Sequence, residues 1–219
     1  MGDCATDEKR AEKLRAAGIV KKANMVDKGC KHIDYRTPPY VLDLAREYGG
    51  GEISLDPATN AENSTKARTF LSLPERDGLA ADWVALSGWP KLVFCNPPYG
   101  KVLGDWVEKI GREAARGAHI VALLPGQRFE TRSYQEHLIG NEARTATVYV
   151  GHRLKFIREG EAMKSNPYGS MLYIFNGNYG RAVRVFERLG LVERSGGTSR
   201  PSQVLTGKQW GRIAKETTT

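Results

Sequence analysis

The sequence has little cysteine, and its apolar residues do not form long runs. Its three cysteines, Cys4, Cys30 and Cys95, are odd in number and widely separated, and none forms a CxxC pair. This pattern supports neither a disulfide framework nor a zinc site, so we expect no metal and a reducing compartment such as the cytoplasm. No stretch approaches the length of a transmembrane helix, and the first residues are too charged for a signal peptide. We therefore expect neither a membrane protein nor a secreted, disulfide-stabilised one.

Charge is the first positive feature. The 219 residues include 33 lysines and arginines and 25 aspartates and glutamates, which gives a net charge of +8. This balance favours a polyanionic partner, although a basic surface alone does not identify one. The length suits one domain with extensions. We predict a basic helical extension over residues 1–31, a main domain over 32–177 and a basic appendage over 178–219.

The stretch Leu92–Gly100 (LVFCNPPYG) combines an apolar run with two adjacent prolines. The run predicts a buried strand that ends at Asn96, because proline lacks a backbone donor and restricts the residue before it. The amide oxygen of Asn96 and the carbonyl of Pro97 are then two acceptors held at a fixed separation, which suits both hydrogens of an exocyclic amine. Tyr99 offers a flat face for the ring that carries the amine. The alternative interpretation is a rigid loop with a packed tyrosine.

Other segments indicate the fold class. An amphipathic helix is predicted over residues 102–115, and a continuous apolar strand over 119–125. Two further strands are predicted over 146–150 and 170–175. Repeated strand–helix–strand units predict an α/β fold with a mostly parallel sheet.

Two more motifs complete a resemblance to a known family. Thr37-Pro38 opens a predicted helix, and Asp56-Pro57-Ala58 ends a short strand. Together with Asn-Pro-Pro-Tyr they resemble the amino-group S-adenosylmethionine methyltransferases. The run from Leu55 to Phe70, and Asp-Gly-Leu followed by Asp-Trp at residues 77–83, are similar to the phage-type Dam DNA N6-adenine methyltransferases. That family also lacks the usual Gly-x-Gly after the first acidic motif.

The resemblance implies a Rossmann-like class I methyltransferase fold, with a mostly parallel sheet and an antiparallel hairpin at its edge. It implies transfer of a methyl group from S-adenosylmethionine to adenine in DNA. The catalytic residues would be Asn96, Pro97, Pro98 and Tyr99. The cofactor would be bound by Tyr35, Thr37, Pro38, Asp56, Pro57, Ala58, Asp82 and Trp83. We assign Asp82 to the adenine amine of the cofactor and Trp83 to packing on its ring.

Several of these residues also have purely structural interpretations. Thr37 could cap the following helix with Pro38 at its first position, Asp56 could be a capping residue, and Trp83 could belong to the core. Arg128 and Arg132 follow the next predicted strand. With Lys155 in a later basic loop, they are predicted DNA-binding residues, or else members of ordinary surface ion pairs.

The expected partner is double-stranded DNA, with no membrane and no obligate protein partner, in the cytoplasm of a bacterial or phage-infected cell. Methylation of RNA or of a protein glutamine is the first alternative, and the basic charge disfavours the protein substrate. A nucleic-acid-binding module without catalysis is the second alternative, and an interaction scaffold is the third.

Overall fold

A computed structural model of the chain describes residues 35–88, 90–158, 161–162 and 168–195. The predicted N-terminal extension over residues 1–31 lies outside the described residues. The part of the predicted C-terminal appendage beyond residue 195 also lies outside them.

The described helices and strands follow one another in alternation along most of the chain. In chain order they are α1 (Pro39–Gly49), β1 (Leu55–Asp56), β2 (Thr69–Phe70), α2 (Trp83–Ser87), β3 (Leu92–Cys95), α3 (Leu103–Ala115), β4 (His119–Pro125), α4 (Arg132–Tyr134) with its π-helical continuation Gln135–Ile139, β5 (Arg144–Val150), β6 (Ile157–Arg158), β7 (Glu161–Ala162), β8 (Ser170–Phe175), α5 (Tyr179–Phe186) and β9 (Gly190–Arg194).

Within the described ranges, seven strands form one sheet in the order β2-β1-β3-β4-β8-β5-β9, and β6 and β7 form a separate pair. Strands β1 to β4 are joined by parallel pairings. Strand β8 is antiparallel to both β4 and β5, so β5 runs in the direction of β4. Strand β9 is antiparallel to β5 at the edge. The predicted Rossmann-like α/β fold, with a mostly parallel sheet and an antiparallel edge, is confirmed.

The central strands are buried because helices cover both faces of the sheet. Along β3, Leu92 and Phe94 face a cluster that includes side chains of α1 and α5. Val93 and Cys95 face a second cluster that includes side chains of α2, α3 and α4. This two-sided burial explains why β3 reads as a continuous apolar run.

The chain after residue 177 continues the sheet domain instead of starting an appendage there. The side chain of Asn178 accepts a hydrogen bond from the backbone N–H of Arg181 and so caps α5. Helix α5 buries Ala182, Val185 and Phe186 in the core. Strand β9 then pairs with β5 along its length. The structure therefore moves the predicted boundary at 177 to beyond the last strand, since residues 178–195 complete the sheet.

None of the helices in the described ranges is both long enough and apolar enough to cross a lipid bilayer.

Candidate active site

The Asn-Pro-Pro-Tyr turn lies at the carboxyl end of β3, as the sequence predicts. Cys95 is the last residue of the strand, Pro97 is buried, and Tyr99 is 36% exposed. Because β1, β3 and β4 are parallel, their carboxyl ends share one edge of the sheet, where α/β proteins commonly bind ligands. Asp56 at the end of β1 therefore lies along the same edge as Asn96.

A hydrogen bond from another part of the chain orients the Asn96 side chain. Its Nδ2 donates to the hydroxyl of Thr37, with 3.0 Å between Nδ2 and Oγ1. Thr37 is 5% exposed, so its hydroxyl is held by the surrounding structure. With the nitrogen engaged, the amide oxygen of Asn96 is the acceptor presented on its other side.

The same bond decides between two interpretations of Thr37. Helix α1 has Pro38 at its N-cap and Pro39 at its first position, and no side chain caps it. The structural alternative in which Thr37 caps the helix is therefore wrong, and its hydroxyl positions Asn96.

The hydroxyl of Tyr99 points among buried groups although part of its side chain is exposed. Burial raises the pKa of this phenol, and nearby Tyr134 and Cys95 raise it further. Burial also raises the pKa of the Cys95 thiol well above its ordinary value, and the nearby Asp56 carboxylate adds to the effect. Both groups stay protonated at neutral pH, so Cys95 has no nucleophilic thiolate.

Asp56 is a buried acid at the end of a parallel strand. Its side chain is 2% exposed, and its Oδ1 accepts a hydrogen bond of 2.9 Å from the backbone N–H of Ala58. Burial raises the pKa of Asp56 to about 6, while hydrogen bonds from Ala58, Thr65 and Thr59 lower it. These bonds offset only part of the cost of burial, so a cation placed beside the carboxylate would stabilise its charged form.

The loop at residues 77–79 packs directly on the segment that follows β1. A methyl group on Gly78 would overlap the carbonyl oxygen of Pro57 and would lie 2.8 Å from the ring of Trp106. Only glycine allows this approach. Asp77 stands beside it, with Oδ1 accepting a hydrogen bond of 2.9 Å from the backbone of Leu79. The sequence signal was the Asp-Gly turn, but Asp77 was not among the predicted site residues.

Asp82 and Trp83 have structural partners. Asp82 caps α2 by accepting from the backbone N–H of Ala85, and its second oxygen pairs with Arg116 at 2.6 Å, which lowers its pKa. Trp83 is fully buried, and its indole N–H donates to the carbonyl of Gly78 at 2.8 Å. A fully buried ring has no face for a ligand, so this geometry does not support the predicted cofactor contacts.

A buried ion pair behind this region was not predicted. Lys109 and Glu113, on one face of α3, form a salt bridge of 2.6 Å with both side chains almost fully buried. Glu113 also accepts hydrogen bonds from the backbone of Trp83 and Val84 at the start of α2. The i,i+4 spacing was the only sequence signal, and it is more common on exposed helix faces.

The segment that carries Tyr35 and Thr37 is joined to the chain after β5. Arg36 and Ile157 exchange backbone hydrogen bonds of 2.8 and 3.0 Å. Between β5 and β6, Leu154 and Phe156 are buried, while Lys155 between them is exposed. Lys155 is therefore brought close to the segment that positions Asn96.

The two predicted arginines differ in their surroundings. Arg128 follows β4 on the shared edge and is half-buried, and its charge lowers the pKa of Tyr134 against the larger effect of burial. Arg132 begins α4, and its Nε lies 2.7 Å from the Glu136 carboxylate in an exposed ion pair. Arg128 is the better placed of the two for contacts at the edge.

Aromatic side chains are the main exposed large apolar groups in the described part of the chain. They are Tyr35, Tyr40, Tyr99, Phe129, Tyr149 and Tyr168. Exposed rings beside basic side chains are typical of surfaces that stack on nucleobases.

Comparison with known proteins yields a match over most of the chain. A family model described as DNA N-6-adenine-methyltransferase (Dam) matches residues 24–194, a range that includes Thr37, Asp56 and Asn96. No curated protein matches the chain.

Proposed function

The chain belongs to the Dam family of DNA N6-adenine methyltransferases, and we propose that it transfers a methyl group from S-adenosylmethionine to N6 of an adenine flipped out of duplex DNA. The observation that supports this proposal is the bond between Thr37 and Asn96, which engages the Asn96 nitrogen and leaves the amide oxygen as an acceptor, with the Pro97 carbonyl next along the chain. Two acceptors at one position match the two hydrogens of an exocyclic amine.

The two acceptors would activate the amine as well as bind it. The N6 lone pair of adenine is conjugated with the ring, which makes the nitrogen a poor nucleophile. Hydrogen bonds from N6 to Asn96 Oδ1 and the Pro97 carbonyl favour a more tetrahedral nitrogen, with its lone pair directed at the methyl group. The surplus proton on the product amine leaves to solvent, since neither acceptor is a base at neutral pH. Positioning and electrostatics supply the acceleration.

Base flipping is required because N6 lies inside the base stack of a duplex. Removing the adenine from the stack costs a few kcal/mol. Stacking on the ring of Tyr99 returns about 1–3 kcal/mol of this cost. Pro97 and Pro98 stiffen the turn and so limit the entropy lost when the base binds.

The residues at the end of β1 fit the cofactor. When bound, S-adenosylmethionine supplies an electrophilic methyl group on a positively charged sulfur. The buried carboxylate of Asp56 would be stabilised by a cationic group of the cofactor, consistent with its raised pKa. Pro57 and Ala58 belong to the turn after β1, and Tyr35 and Pro38 lie on the same segment as Thr37.

For the adenine amine of the cofactor, Asp77 replaces Asp82 in the proposal. The loop of Asp77 packs on the segment after β1, whereas Asp82 is held by Ala85 and Arg116. Asp77→Ala should weaken S-adenosylmethionine binding, and Asp82→Ala should leave it unchanged in calorimetry. The opposite result would restore the assignment of Asp82.

Basic side chains would hold the DNA backbone. Lys155 is exposed on the segment that pairs with Arg36, and Arg128 follows β4 at the shared edge of the sheet. Arg132 would have to exchange its pairing with Glu136 for a phosphate. Replacing any one of these three side chains with alanine should reduce the salt dependence of DNA binding. The net charge of +8 supports this partner. A location in the cytoplasm of a bacterial or phage-infected cell stays a prediction.

The deciding experiment is methyl transfer from radiolabelled S-adenosylmethionine to unmethylated duplex DNA, followed by nucleoside analysis. We expect N6-methyladenine with the wild type and none with Asn96→Ala or Tyr99→Ala. Asn96→Asp is the matched control, because it keeps an acceptor oxygen and should retain part of the activity. Circular dichroism would establish that the variants are folded.

Each other outcome has a definite meaning. Full activity in Asn96→Ala or Tyr99→Ala would refute the assigned roles. Cofactor binding without label in DNA would direct the search to RNA or protein substrates. If the protein neither binds the cofactor nor transfers the methyl group, a nucleic-acid-binding module without catalysis becomes the better interpretation.

A further inference from the structure

An open cavity lies at the carboxyl ends of β4 and β5, on the same edge of the sheet as Asn96. Its volume is about 350 Å³, and its lining includes Gln127, Tyr149, Arg153, Ser170 and Met171. Small-molecule pockets span roughly 300–1,000 Å³, so this one has room for a single nucleobase. We propose that the cavity binds a nucleotide of the DNA substrate that flanks the target adenine, and that it contributes to sequence selectivity. This inference rests on the proposed function.

The first support is a buried hydroxyl without a partner. Ser170 is 3% exposed, and its Oγ has no hydrogen-bond partner in the described part of the chain. Buried polar groups in folded proteins are nearly always hydrogen-bonded, and exceptions need an explanation. A polar edge of a bound base would supply the missing partner.

The second support is the chemistry of the surrounding side chains. Tyr149 is 41% exposed, and its hydroxyl donates to Glu193 at 2.6 Å, which restrains the ring. A restrained, exposed ring is a stacking platform for a base. Gln127 and Arg153 are exposed side chains of the two types that read adenine and guanine edges with paired hydrogen bonds. An aromatic ring, an amide and a guanidinium around one cavity suit a nucleotide better than an apolar ligand.

The third support is the position of the cavity. Strand β8, which begins at Ser170, is two strands away from β3 in the sheet. Neighbouring strands are about 4.8 Å apart, so β8 lies about 10 Å from β3 across the sheet. Nucleotides of one DNA strand are about 3.4 Å apart along the helix axis, so a separation on this scale is within reach of nucleotides that flank the adenine. The cavity also lies on the opposite side of Asn96 from Asp56, away from the proposed cofactor site.

The test is a map of sequence context. A library of duplexes with one adenine in randomised surroundings is methylated with wild-type protein, and the methylated molecules are sequenced. The variants are Ser170→Ala, Gln127→Ala and Tyr149→Ala. Leu191→Ala serves as control, because Leu191 is 71% exposed on β9 and does not line the cavity. Removing an unpartnered hydroxyl should not destabilise the fold, so Ser170→Ala tests function directly.

We expect discrimination at a position flanking the adenine to fall about tenfold in the cavity variants and to stay unchanged in the control. Cofactor affinity should stay unchanged in all of them. Wild-type context preference in all three cavity variants would overturn the inference while the proposed function stands.

A second measurement, of DNA binding, tests the inference if the proposed function is wrong. If the wild type does not methylate the library, binding of fluorescent duplexes is measured for the same variants. Weaker binding in the cavity variants than in Leu191→Ala would support the nucleotide site without the reaction. Equal binding, or no binding by the wild type, would overturn it.

Discussion

Replacing Asp56 with asparagine separates the effect of a buried charge on the free energy of unfolding from its contribution to cofactor binding. The substitution keeps the shape of the side chain and an oxygen that can accept from the backbone N–H of Ala58, as Asp56 does at 2.9 Å. Its new amide nitrogen can donate to the hydroxyl of Thr59 or Thr65. The variant therefore removes the negative charge with little change in packing.

The pKa of Asp56 sets the sign and the size of the effect. Because the pKa is about 6 in the folded protein and 3.8 in the reference state, the folded chain binds this proton more tightly than the unfolded chain. The contribution of Asp56 to the free energy of unfolding is then highest below pH 4, falls as the pH rises towards about 6, and is level above that. The difference of about two pKa units corresponds to about 3 kcal/mol.

Two measurements test this reasoning. In urea unfolding between pH 4 and pH 8, Asp56→Asn should lack the decline and should be up to about 3 kcal/mol more stable than the wild type at pH 8. In calorimetry the same variant should bind S-adenosylmethionine roughly 10- to 100-fold more weakly, since a bond to a charged group contributes about 1.5–3 kcal/mol. Wild-type affinity should rise between pH 5 and pH 7, as Asp56 ionises, and the variant's should not.

A different result would refute the interpretation. If Asp56→Asn is less stable at pH 8 and binds the cofactor normally, Asp56 is only a structural residue of the turn.

Three further predictions concern the support of the site. Thr37→Val should lower kcat about tenfold with little change in DNA affinity, because the Asn96 side-chain nitrogen loses its acceptor. Thr37→Ser keeps the hydroxyl and should restore kcat. A valine variant with wild-type kcat would contradict this role of Thr37. Glu113→Ala should lower the free energy of unfolding by about 3–5 kcal/mol in urea titrations, because it leaves the Lys109 ammonium buried without a counter-charge. A loss below about 1 kcal/mol would show that the ion pair is not buried. Gly78→Ala should lower the melting temperature and weaken cofactor binding, because the added methyl group overlaps the carbonyl oxygen of Pro57. Wild-type values in both assays would show that the loop is not tightly packed.

Local sequence determined the central part of the site and the fold class. The apolar run followed by two prolines defines a buried strand and its end without reference to other residues, because proline acts on its own and adjacent dihedral angles. The alternation of strand and helix patterns likewise predicts a parallel sheet, whose carboxyl ends then share one edge. These grounds alone place Asn96 at that edge, whereas the assignment of Asp56 to the site depends on the family resemblance.

Tertiary structure decided the hydrogen-bond and ion-pair partners of each side chain. Thr37 and Asn96 are 59 positions apart, and only the packing of α1 on the sheet brings their side chains together. The Asp-Trp pair at 82 and 83 resembled a cofactor motif, but α3 packs against it and supplies partners that local pattern does not encode.

The same holds for the last strand and for the cavity at the ends of β4 and β5. Residues 190–194 carry a weak strand pattern, and pairing with β5 makes them part of the sheet. The cavity combines the ends of three strands that are far apart in sequence. Propensity acts over a few residues, whereas burial and hydrogen bonding depend on contacts across the whole chain, so the motifs could be read from the sequence and their surroundings could not.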